Sequence, residues 1–534
     1  MSFAQPSRRL FLRHGLTAAG AAASLLGLDW PEWAGGRPLA AASQAGQADP
    51  ARMADVRVRG RVRAAGRGLP RVTVSDGASV VLTDKDGYFE LWTPPNAFVS
   101  CAVPGEYEIA TTPTGTARVF QSIGSGGPVQ AGQAPTGRAL SGQKARGPAT
   151  ADLVFDLRRR TDASGHHRFV VLADPQTQNT DETGYFLAET VPDVQALLRQ
   201  HEGVPHFGIG CGDLMFDDLS LFPEYEKAVK AMGIPFFQVI GNHDLDLLGR
   251  SDEQSAATFS QRFGPVNYSF NVGAVHYVVL DDVMWYGAGY VGYVSERQLK
   301  WLEADLAHVE RGRTVIVALH IPLMSTQYRR RKESQPPAGA LVNNRAALYR
   351  LLEPFKAHVV SGHTHENENV LDQGVFEHVH GAVCGAWWSG PICHDGTPKG
   401  YGVFDVRGED VRWTYKSTGL PSEHQLRAYG PGFDASIGAS VVANVWNWDP
   451  KWSVIWVEDG QPRGPMERFT GSDPLSAKLH TGSALPVRRG WVEPVPTDHL
   501  FRCTPSANAR EVRVEVTDRF GATFTETWRR AQPA

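Results

Sequence analysis

Short apolar runs that end in polar residues dominate the middle of the chain. Between about residues 165 and 400 they alternate with segments of helical spacing, such as "VPDVQALLRQ" and "SERQLKWLEADLAHV". Apolar runs of this length indicate buried strands, and strands that alternate with helices are typical of an α/β domain. The sequence therefore predicts an α/β domain over residues 160–418, with strands at "RFVVLAD", "HFGIGCGD", "FFQVIGNHD", "HYVVLDD", "TVIVALHIP" and "AHVVSGHTH".

A different pattern, in which polar and apolar residues alternate with a period of two, flanks this domain on both sides. "VRVRGRV", "RVTVSDG" and "SVVLTDKDGYFEL" show it, with turns at Asp76-Gly77 and Asp86-Gly87. They predict an N-terminal β-sandwich over residues 53–110. "SVIWVEDG" and "EVRVEVTDRFGATFTE" predict a second β domain over residues 420–534.

Residues 111–150 lie between the first β domain and the α/β domain. They include "GSGGPVQAGQAPTGRALSGQKARGPA", which is rich in Gly, Ala, Gln and Pro. A segment of this composition buries too little apolar surface to order itself. We therefore expect a flexible insertion or linker here.

The first forty residues have the features of an export signal. Arg8 and Arg9 precede an apolar, Ala-rich run, which is too short for a good membrane span. "SRRLFL" resembles a twin-arginine export signal, so residues 1–42 are predicted to be a signal peptide that is cleaved near Ala42. A chance arginine pair before a disordered tail is the alternative. No later segment is long and apolar enough to span a bilayer, so the prediction is a periplasmic or extracellular protein.

Charge and cysteine content narrow the class of protein. A net charge of -4 with 21% charged residues indicates neither a basic domain for polyanions nor a disordered acidic chain, and no nucleic-acid partner is evident. Five cysteines are a poor disulfide framework for a chain of this size. Cys384 and Cys393 either bridge the loop "CGAWWSGPIC" or are two separate buried thiols.

The predicted strands of the α/β domain end in residues that bind metals. In α/β sheets ligands gather at strand ends, and carboxylates, imidazoles and amides are ligands of divalent first-row metals. Two ions about 3.5 to 4 Å apart would need one carboxylate to bridge them. A single histidine at a strand end is usually structural, but agreement across several such loops indicates a metal centre. The residues are Asp174, Asp213, Asn242, His243, Asp244, His320, His363 and His365.

These residues lie in motifs that resemble those of the calcineurin-like binuclear metallophosphoesterases, in the same order and with similar spacing. The motifs are "DPQ", "GD" at Gly212-Asp213, "GNHD" at residues 241–244, His320, and "GHTH" at residues 362–365. The flanking regions resemble the β domains of one exported bacterial branch of that family. The resemblance implies a two-sheet β-sandwich flanked by helices, with metals on loops at one edge of the sheets.

The resemblance also implies a role for each ligand. Asp174 and His365 would hold the first of two divalent ions (Mn, Zn, Fe or a mixture), Asn242, His320 and His363 would hold the second, and Asp213 would bridge. Gln176 departs from the pattern, because many members have histidine there. Its amide offers only a neutral oxygen. Gln176 is therefore a weak oxygen ligand, which we favour, or it holds a nearby carboxylate or water, or it only caps the loop.

The implied reaction needs no cysteine or serine nucleophile. A hydroxide that bridges the two metals would attack phosphorus in line, and His243 as a cation would protonate the departing oxygen. Asp244 would orient the ring of His243.

The residues that would contact the substrate are less clear from the sequence. "QYRRRKESQPP" places Arg329 and Arg330 either on a loop that reaches an anionic substrate or on a solvated charged loop. Trp387 and Trp388 in "GAWWSGP" either form an aromatic wall for a sugar or base or pack under the loop.

The sequence as a whole predicts an exported, metal-dependent phosphoesterase. Its substrate would be a small phosphomonoester or phosphodiester of a sugar, lipid or nucleotide. The alternative is a catalytically inactive metal- or carbohydrate-binding surface protein on the same fold.

Overall fold

The computed structural model describes residues 55–123, 150–162, 164–481 and 485–531. The predicted signal peptide, residues 1–42, lies outside the described residues, as do residues 124–149 of the predicted insertion. None of the helices within the described ranges has the length and apolar character needed to cross a membrane.

Two small sheets form the N-terminal β structure. One has the order β2-β1-β5 with β8 parallel to β1, and the other has the order β4-β3-β6-β7. Val58, Val74 and Phe89 fill the core between them because alternate residues of each strand point inward. The strands are β1 (Val56–Ala64), β2 (Arg67–Gly68), β3 (Thr73–Ser75), β4 (Val80–Leu82), β5 (Tyr88–Thr93), β6 (Phe98–Cys101), β7 (Phe120–Ser122) and β8 (Thr150–Leu157).

The segment predicted to be a flexible insertion begins with ordered residues. β7 lies within it and pairs with β6, and Ala117 and Val119 are buried. Thr116 also forms a bridge with Phe236 of the α/β domain. The composition of residues 111–150 as a whole obscured the local apolar positions of "ARVF", so the prediction of flexibility is wrong for residues 111–123.

The α/β domain is a sandwich of a five-stranded and a six-stranded sheet. Their orders are β11-β10-β9-β20-β21 and β12-β13-β16-β17-β19-β18, and β14 and β15 form a separate hairpin. The strands are β9 (His167–Leu172), β10 (His206–Cys211), β11 (Phe236–Val239), β12 (Tyr268–Val272), β13 (Val275–Val279), β14 (Val283–Trp285), β15 (Tyr290–Gly292), β16 (Thr314–Ala318), β17 (Lys356–Ser361), β18 (Glu368–Asp372), β19 (Val375–Val379), β20 (Gly400–Arg407) and β21 (Asp410–Ser417).

Helices cover the outer faces of this sandwich. Phe169 and Val171 of β9 point into the core between the sheets, whereas Val170 and Leu172 pack under the helices. Burial on both faces explains why the central strands are continuously apolar. The helices are α1 (Thr180–Tyr185), α2 (Val191–Gln200), α3 (Phe222–Met232), α4 (Asp252–Ser255), α5 (Ala257–Phe263), α6 (Glu296–Leu306), α7 (Gln327–Arg330) and α8 (Arg345–Leu352), with a π-helical turn (Phe186–Thr190) and a 3-10 turn (Leu219–Leu221).

The C-terminal β structure consists of two four-stranded sheets, with the orders β22-β23-β27-β26 and β25-β24-β28-β29. Val441, Phe501 and Val514 are among the residues of the core between them. The elements are β22 (Arg427–Tyr429), β23 (Val441–Asn444), β24 (Ser453–Glu458), β25 (Gln461–Pro465), β26 (Glu467–Ser472), α9 (Pro474–Leu479), a 3-10 turn (Val487–Arg489), β27 (Pro496–Cys503), β28 (Glu511–Thr517) and β29 (Thr523–Arg529).

Together these elements confirm the predicted fold class, a helix-flanked β-sandwich with β structure on both sides. β9, β10 and β11 run parallel in one sheet, and β13, β16, β17 and β19 run parallel in the other. The carboxyl ends of parallel strands share one edge of a sheet, and the predicted metal ligands follow such strands.

Candidate metal centre

The loops that carry the predicted ligands have strained backbones. Asp174, Gln176, Asp213, His363 and His365 all have positive φ, between 41° and 69°. Residues other than glycine rarely adopt this conformation, and where they do, the surrounding structure imposes it. Five strained residues therefore cluster in the loops at this edge of the sandwich.

Two glycines of the motifs allow these loops to pack against one another. A Cβ atom on Gly212 would lie 2.3 Å from the ring of His320, and one on Gly241 would lie 2.0 Å from the backbone nitrogen of Asp213. Any other residue at either position would push the loops apart. The glycines of "GD" and "GNHD" are thus required by the close approach of the ligand loops.

Asp213, His320 and His363 form the centre of the site, with one ligand atom from each within 4.8 Å of the others. His320 Nε2 lies 3.3 Å from Asp213 Oδ1 and 3.2 Å from Asn242 Oδ1. His363 Nδ1 lies 3.2 Å from the same His320 nitrogen. On its other side, His320 donates a hydrogen bond from Nδ1 to the carbonyl of Cys211 at 3.0 Å, which turns Nε2 toward the centre.

Asp174, Gln176 and His365 form a second group beside Asp213. His365 Nε2 lies 3.5 Å from Asp174 Oδ1, and its Nδ1 lies 3.2 Å from the carbonyl of Gly385. Gln176 donates from Nε2 to Asp213 Oδ2 at 3.0 Å. Gln176 Oε1 is buried and accepts no hydrogen bond from any residue that the structure describes. A buried amide oxygen without a partner is costly, so this atom is suited to a cation.

The donor set as a whole fits divalent cations, with one carboxylate between two groups of side chains. Asp213 Oδ1 faces His320, and Oδ2 faces Gln176, so the carboxylate lies between the two groups. Each group supplies oxygen and imidazole nitrogen atoms, which suit first-row divalent metals. These contacts also show that all seven predicted ligands lie at one place: Asp174, Gln176, Asp213, Asn242, His320, His363 and His365.

Burial and neighbouring charges set the protonation of the site. Burial lowers the pKa of His363 and of His365 to about 3 each, which keeps both rings neutral, the form that binds metals. Burial also lowers the pKa of His320, but Asp213 and Asp174 outweigh it and raise this pKa to about 10. Burial raises the pKa of Asp174 well above its usual range. A cation at the centre would take over the charge compensation that the His320 proton supplies.

Asp217 contacts the ring of His243. His243 Nδ1 lies 2.6 Å from Asp217 Oδ1, and the ring stacks on Phe216 at 4.5 Å. The carboxylate of Asp244 instead accepts hydrogen bonds from the backbone nitrogens of Leu214, Met215 and Gly241. The prediction that Asp244 orients this ring is wrong, because Asp244 points back into the loop after β10. The sequence analysis missed Asp217, whose position four residues after Asp213 was the feature that could have pointed to it.

The predicted substrate arginines do not face the centre. Arg330 is buried, with its side chain 4% exposed, and forms ion pairs with Glu366 at 2.7 Å and Glu368 at 2.9 Å. Arg329 is exposed and donates to the hydroxyl of Tyr328. The prediction that Arg330 binds the substrate is therefore wrong, because its positive charge compensates two buried carboxylates. Arg329 fits the alternative of a solvated charged loop.

The two tryptophans after the last metal motif point in different directions. The ring of Trp387 stacks on the ring of His365, with centroids 4.2 Å apart. Trp388 donates from Nε1 to the carbonyl of Pro175 at 2.9 Å and packs under the loop. In the same region Cys384 and Cys393 are separate buried thiols. Trp387 thus lies at the metal centre, and Trp388 supports the loop behind it.

Comparison with known proteins identifies the family. The model "Calcineurin-like phosphoesterase" matches residues 167–367. The models for the N terminal and the C terminal of Calcineurin-like phosphoesterase match residues 56–132 and 377–524. The chain therefore belongs to the calcineurin-like phosphoesterase family.

Individual relatives share only part of their length with this chain. Purple acid phosphatase 15 of Arabidopsis thaliana is 28% identical over 149 residues, 25% of each protein. The serine/threonine-protein phosphatase CPPED1 of Mus musculus is 29% identical over 153 residues, 27% of this chain and 48% of the relative. The purple acid phosphatase PPD1 from yellow lupin seeds is a similar solved structure, with 14% identity and a TM-score of 0.35 over 66% of this chain and 67% of that one. The chain thus spans less than two thirds of these curated relatives.

Proposed function

We propose that the protein is an exported phosphoesterase that uses two divalent metal ions. The observation that carries the proposal is the position of Asp213 between two groups of ligand-type side chains. One ion would be held by Asp174, Gln176 and His365, and the other by Asn242, His320 and His363. Asp213 would bind both.

The proposed hydrolysis would use the two metal ions and one general acid, His243. When bound, the two cations would neutralise charge on the phosphoryl oxygens and activate a water for attack. His243 would protonate the departing oxygen. Its backbone nitrogen donates to Asp213 Oδ1 at 2.8 Å, which fixes the residue next to the ligands. Asp217 Oδ1 lies 2.6 Å from Nδ1 of the His243 ring and would orient it for this proton transfer.

The substrate is proposed to be a small phosphorylated molecule, and the sugar, lipid and nucleotide classes all remain to be compared. Both curated relatives described above are named phosphatases. A phosphomonoester is therefore the first substrate to test, with a phosphodiester beside it.

Export is the part of the proposal that rests on the N-terminal sequence. Arg8 and Arg9 precede an apolar run within residues 1–42. Replacing both arginines with lysine should keep the protein in the cytoplasm if this is a twin-arginine signal. Unchanged export of the double variant would contradict that assignment.

The test of activity uses metal-depleted protein supplied separately with Mn²⁺, Zn²⁺, Fe²⁺ and Mg²⁺. Each form is assayed with a matched pair of nitrophenyl monoester and diester. We expect turnover of at least one ester that depends on added metal, and the preferred ester assigns the class of reaction. His243→Ala is the matched control, since it should bind the same metals but turn over more slowly. Protein that binds metal and hydrolyses neither ester would support the inactive binding protein instead.

A further inference from the structure

Arg489 of the C-terminal β structure contacts segments of the α/β domain that lie beside the candidate metal centre. It is 2% exposed and ends the 3-10 turn Val487–Arg489. Its guanidinium donates to three acceptors: from Nε to the carbonyl of Trp387 at 2.9 Å, from Nη1 to Gln178 Oε1 at 3.0 Å, and from Nη2 to Glu182 Oε1 at 2.8 Å. The planar guanidinium fixes the directions of these bonds.

The first acceptor is the carbonyl of Trp387, whose ring packs on the proposed metal ligand His365. The ring of Trp387 stacks on His365 at 4.2 Å, and Trp387 has a φ of 51°. A tryptophan in this backbone conformation is strained, so contacts from outside its loop must hold it there. The bond from Arg489 to the Trp387 carbonyl is such a contact.

The other two acceptors are Gln178, in the loop that carries Asp174 and Gln176, and Glu182, in helix α1 directly after that loop. Glu182 is fully buried, and its second oxygen accepts a hydrogen bond from the backbone nitrogen of Gln178 at 2.8 Å. Arg489 and Glu182 together therefore hold Gln178, two residues beyond Gln176. One guanidinium thus supports both segments of the Asp174, Gln176 and His365 group.

The neighbouring Arg488 provides a comparison within the same turn. It also pairs with Glu182 Oε1, at 2.9 Å, but its side chain is 47% exposed. Because the Arg488 side chain is half exposed and contacts one acceptor, we expect it to hold its partner less firmly than the buried Arg489 guanidinium, which fixes the positions of three acceptors. Arg488 can therefore serve as a matched control for charge and location.

We propose that Arg489 is a positioning residue for the metal that Asp174, Gln176 and His365 would hold, so that the C-terminal β structure is part of the active centre. The inference rests on the proposed function. Without Arg489, Trp387 would release its stacking contact with His365, and the loop that carries Gln176 would loosen. The group formed by Asn242, His320 and His363 would keep its own contacts.

The test compares wild type, Arg489→Ala, Arg489→Lys and Arg488→Ala, each loaded with metal. The release of each ion to a chelator is followed together with kcat, KM and the thermal unfolding temperature. In Arg489→Ala we expect one of the two ions to be released about 10- to 100-fold faster, with the other unchanged, as for other groups that orient metal ligands. kcat should fall more than KM rises. Arg489→Lys should lie between Arg489→Ala and wild type, and Arg488→Ala should match wild type.

Added guanidinium, below denaturing concentrations, provides a second measurement. It should fill the space left in Arg489→Ala and restore both kcat and the slow release of the first ion, whereas urea should not. If Arg489→Ala does not fold, Arg489→Lys and Glu182→Gln take its place with the same measurements. Release rates and kcat like those of Arg488→Ala, or equal acceleration of both ions without rescue, would overturn the inference. Wild type that binds no metal would overturn the proposed function instead.

Discussion

His243 contacts the carboxylate of Asp217 at 2.6 Å, although Asp244 is its immediate neighbour in the chain. The two aspartates have separate tasks. Asp217 orients the proposed acid, and Asp244 holds the backbone of the loop that carries Asp213. Burial and the nearby Asp213 raise the pKa of Asp244 to about 7, consistent with a structural role in the interior.

Removal of the proposed acid should affect poor leaving groups most. His243→Ala should slow the hydrolysis of alkyl phosphoesters by roughly 10² to 10⁴ and that of nitrophenyl esters by less, because nitrophenolate leaves without a proton. Asp217→Asn should produce the same selectivity with a smaller loss. Steady-state kinetics on both ester classes, with metal content measured in parallel, check this. Equal slowing of both classes, or loss of metal from His243→Ala, would count against the acid.

Replacement of the bridging carboxylate should remove metal. Asp213→Asn deletes a negative charge shared by two dications, so bound metal should fall toward one ion or none per chain and activity should disappear. Asp217→Asn is the control, because it alters a nearby carboxylate that we do not assign as a ligand. Elemental analysis of both purified variants measures the difference. Asp213 is not a bridge if the Asn variant keeps two ions at full occupancy.

Gln176 should tune how tightly one ion is held. Its buried, unpaired Oε1 is a neutral donor, and imidazole is the better ligand for Zn²⁺ and its neighbours. Gln176→His should therefore slow the loss of one ion to a chelator. Gln176→Ala should speed that loss and raise the metal concentration for half activity. Identical release rates in all three proteins would mean that Gln176 only holds Asp213 through its Nε2.

Asp395 should make stability depend on acid pH. It lies 3.2 Å from His499 Nε2 and accepts a hydrogen bond from the backbone of Asn367 at 3.0 Å. Burial raises the pKa of Asp395, but the hydrogen bond and charge of His499 outweigh it and lower this pKa from 3.8 to about 2. A carboxyl group with a lowered pKa stabilises the fold above its unfolded pKa, and this stabilisation is lost as the pH falls through the folded value.

Asp395→Asn should accordingly lower the free energy of unfolding at neutral pH by on the order of 2 kcal/mol. The difference in the free energy of unfolding between wild type and Asp395→Asn should become smaller as the pH falls from about 4 to about 2. Denaturant unfolding at a series of pH values, followed by tryptophan fluorescence, measures it. A difference that stays constant across this range would show that the ionisation of Asp395 does not stabilise the fold.

The sequence predicted the elements that depend on local pattern. The strand before Asp174 reads as an apolar run because Phe169 and Val170 are buried on opposite faces of one sheet. Each predicted metal ligand follows such a strand, so the topology alone collects these residues at one edge. These features need no knowledge of distant contacts, so the fold class and the meeting of the predicted ligands at one edge were predictable from the sequence.

Contacts between distant segments were not predictable. Arg330 reads as a substrate arginine beside Arg329, but it is buried by Glu366 and Glu368, some forty residues further along. Arg489 is 307 residues from Glu182, and nothing in "PVRRG" distinguishes it from Arg488. Asp217 was missed for another reason, since the adjacent Asp244 offered a simpler partner for His243. In each case the role of the side chain depends on the direction in which it points. That direction is set by packing against distant segments, which the local sequence does not reveal.

The most direct test of a binuclear centre is a titration of metal-free protein in which bound metal and activity are measured in the same samples. We predict that binding saturates at two ions per chain and that activity rises with the second ion. Saturation at two ions would require both the Asp174 group and the His320 group to be occupied. Full activity without added metal, or activity that saturates with a single ion bound, would contradict the account.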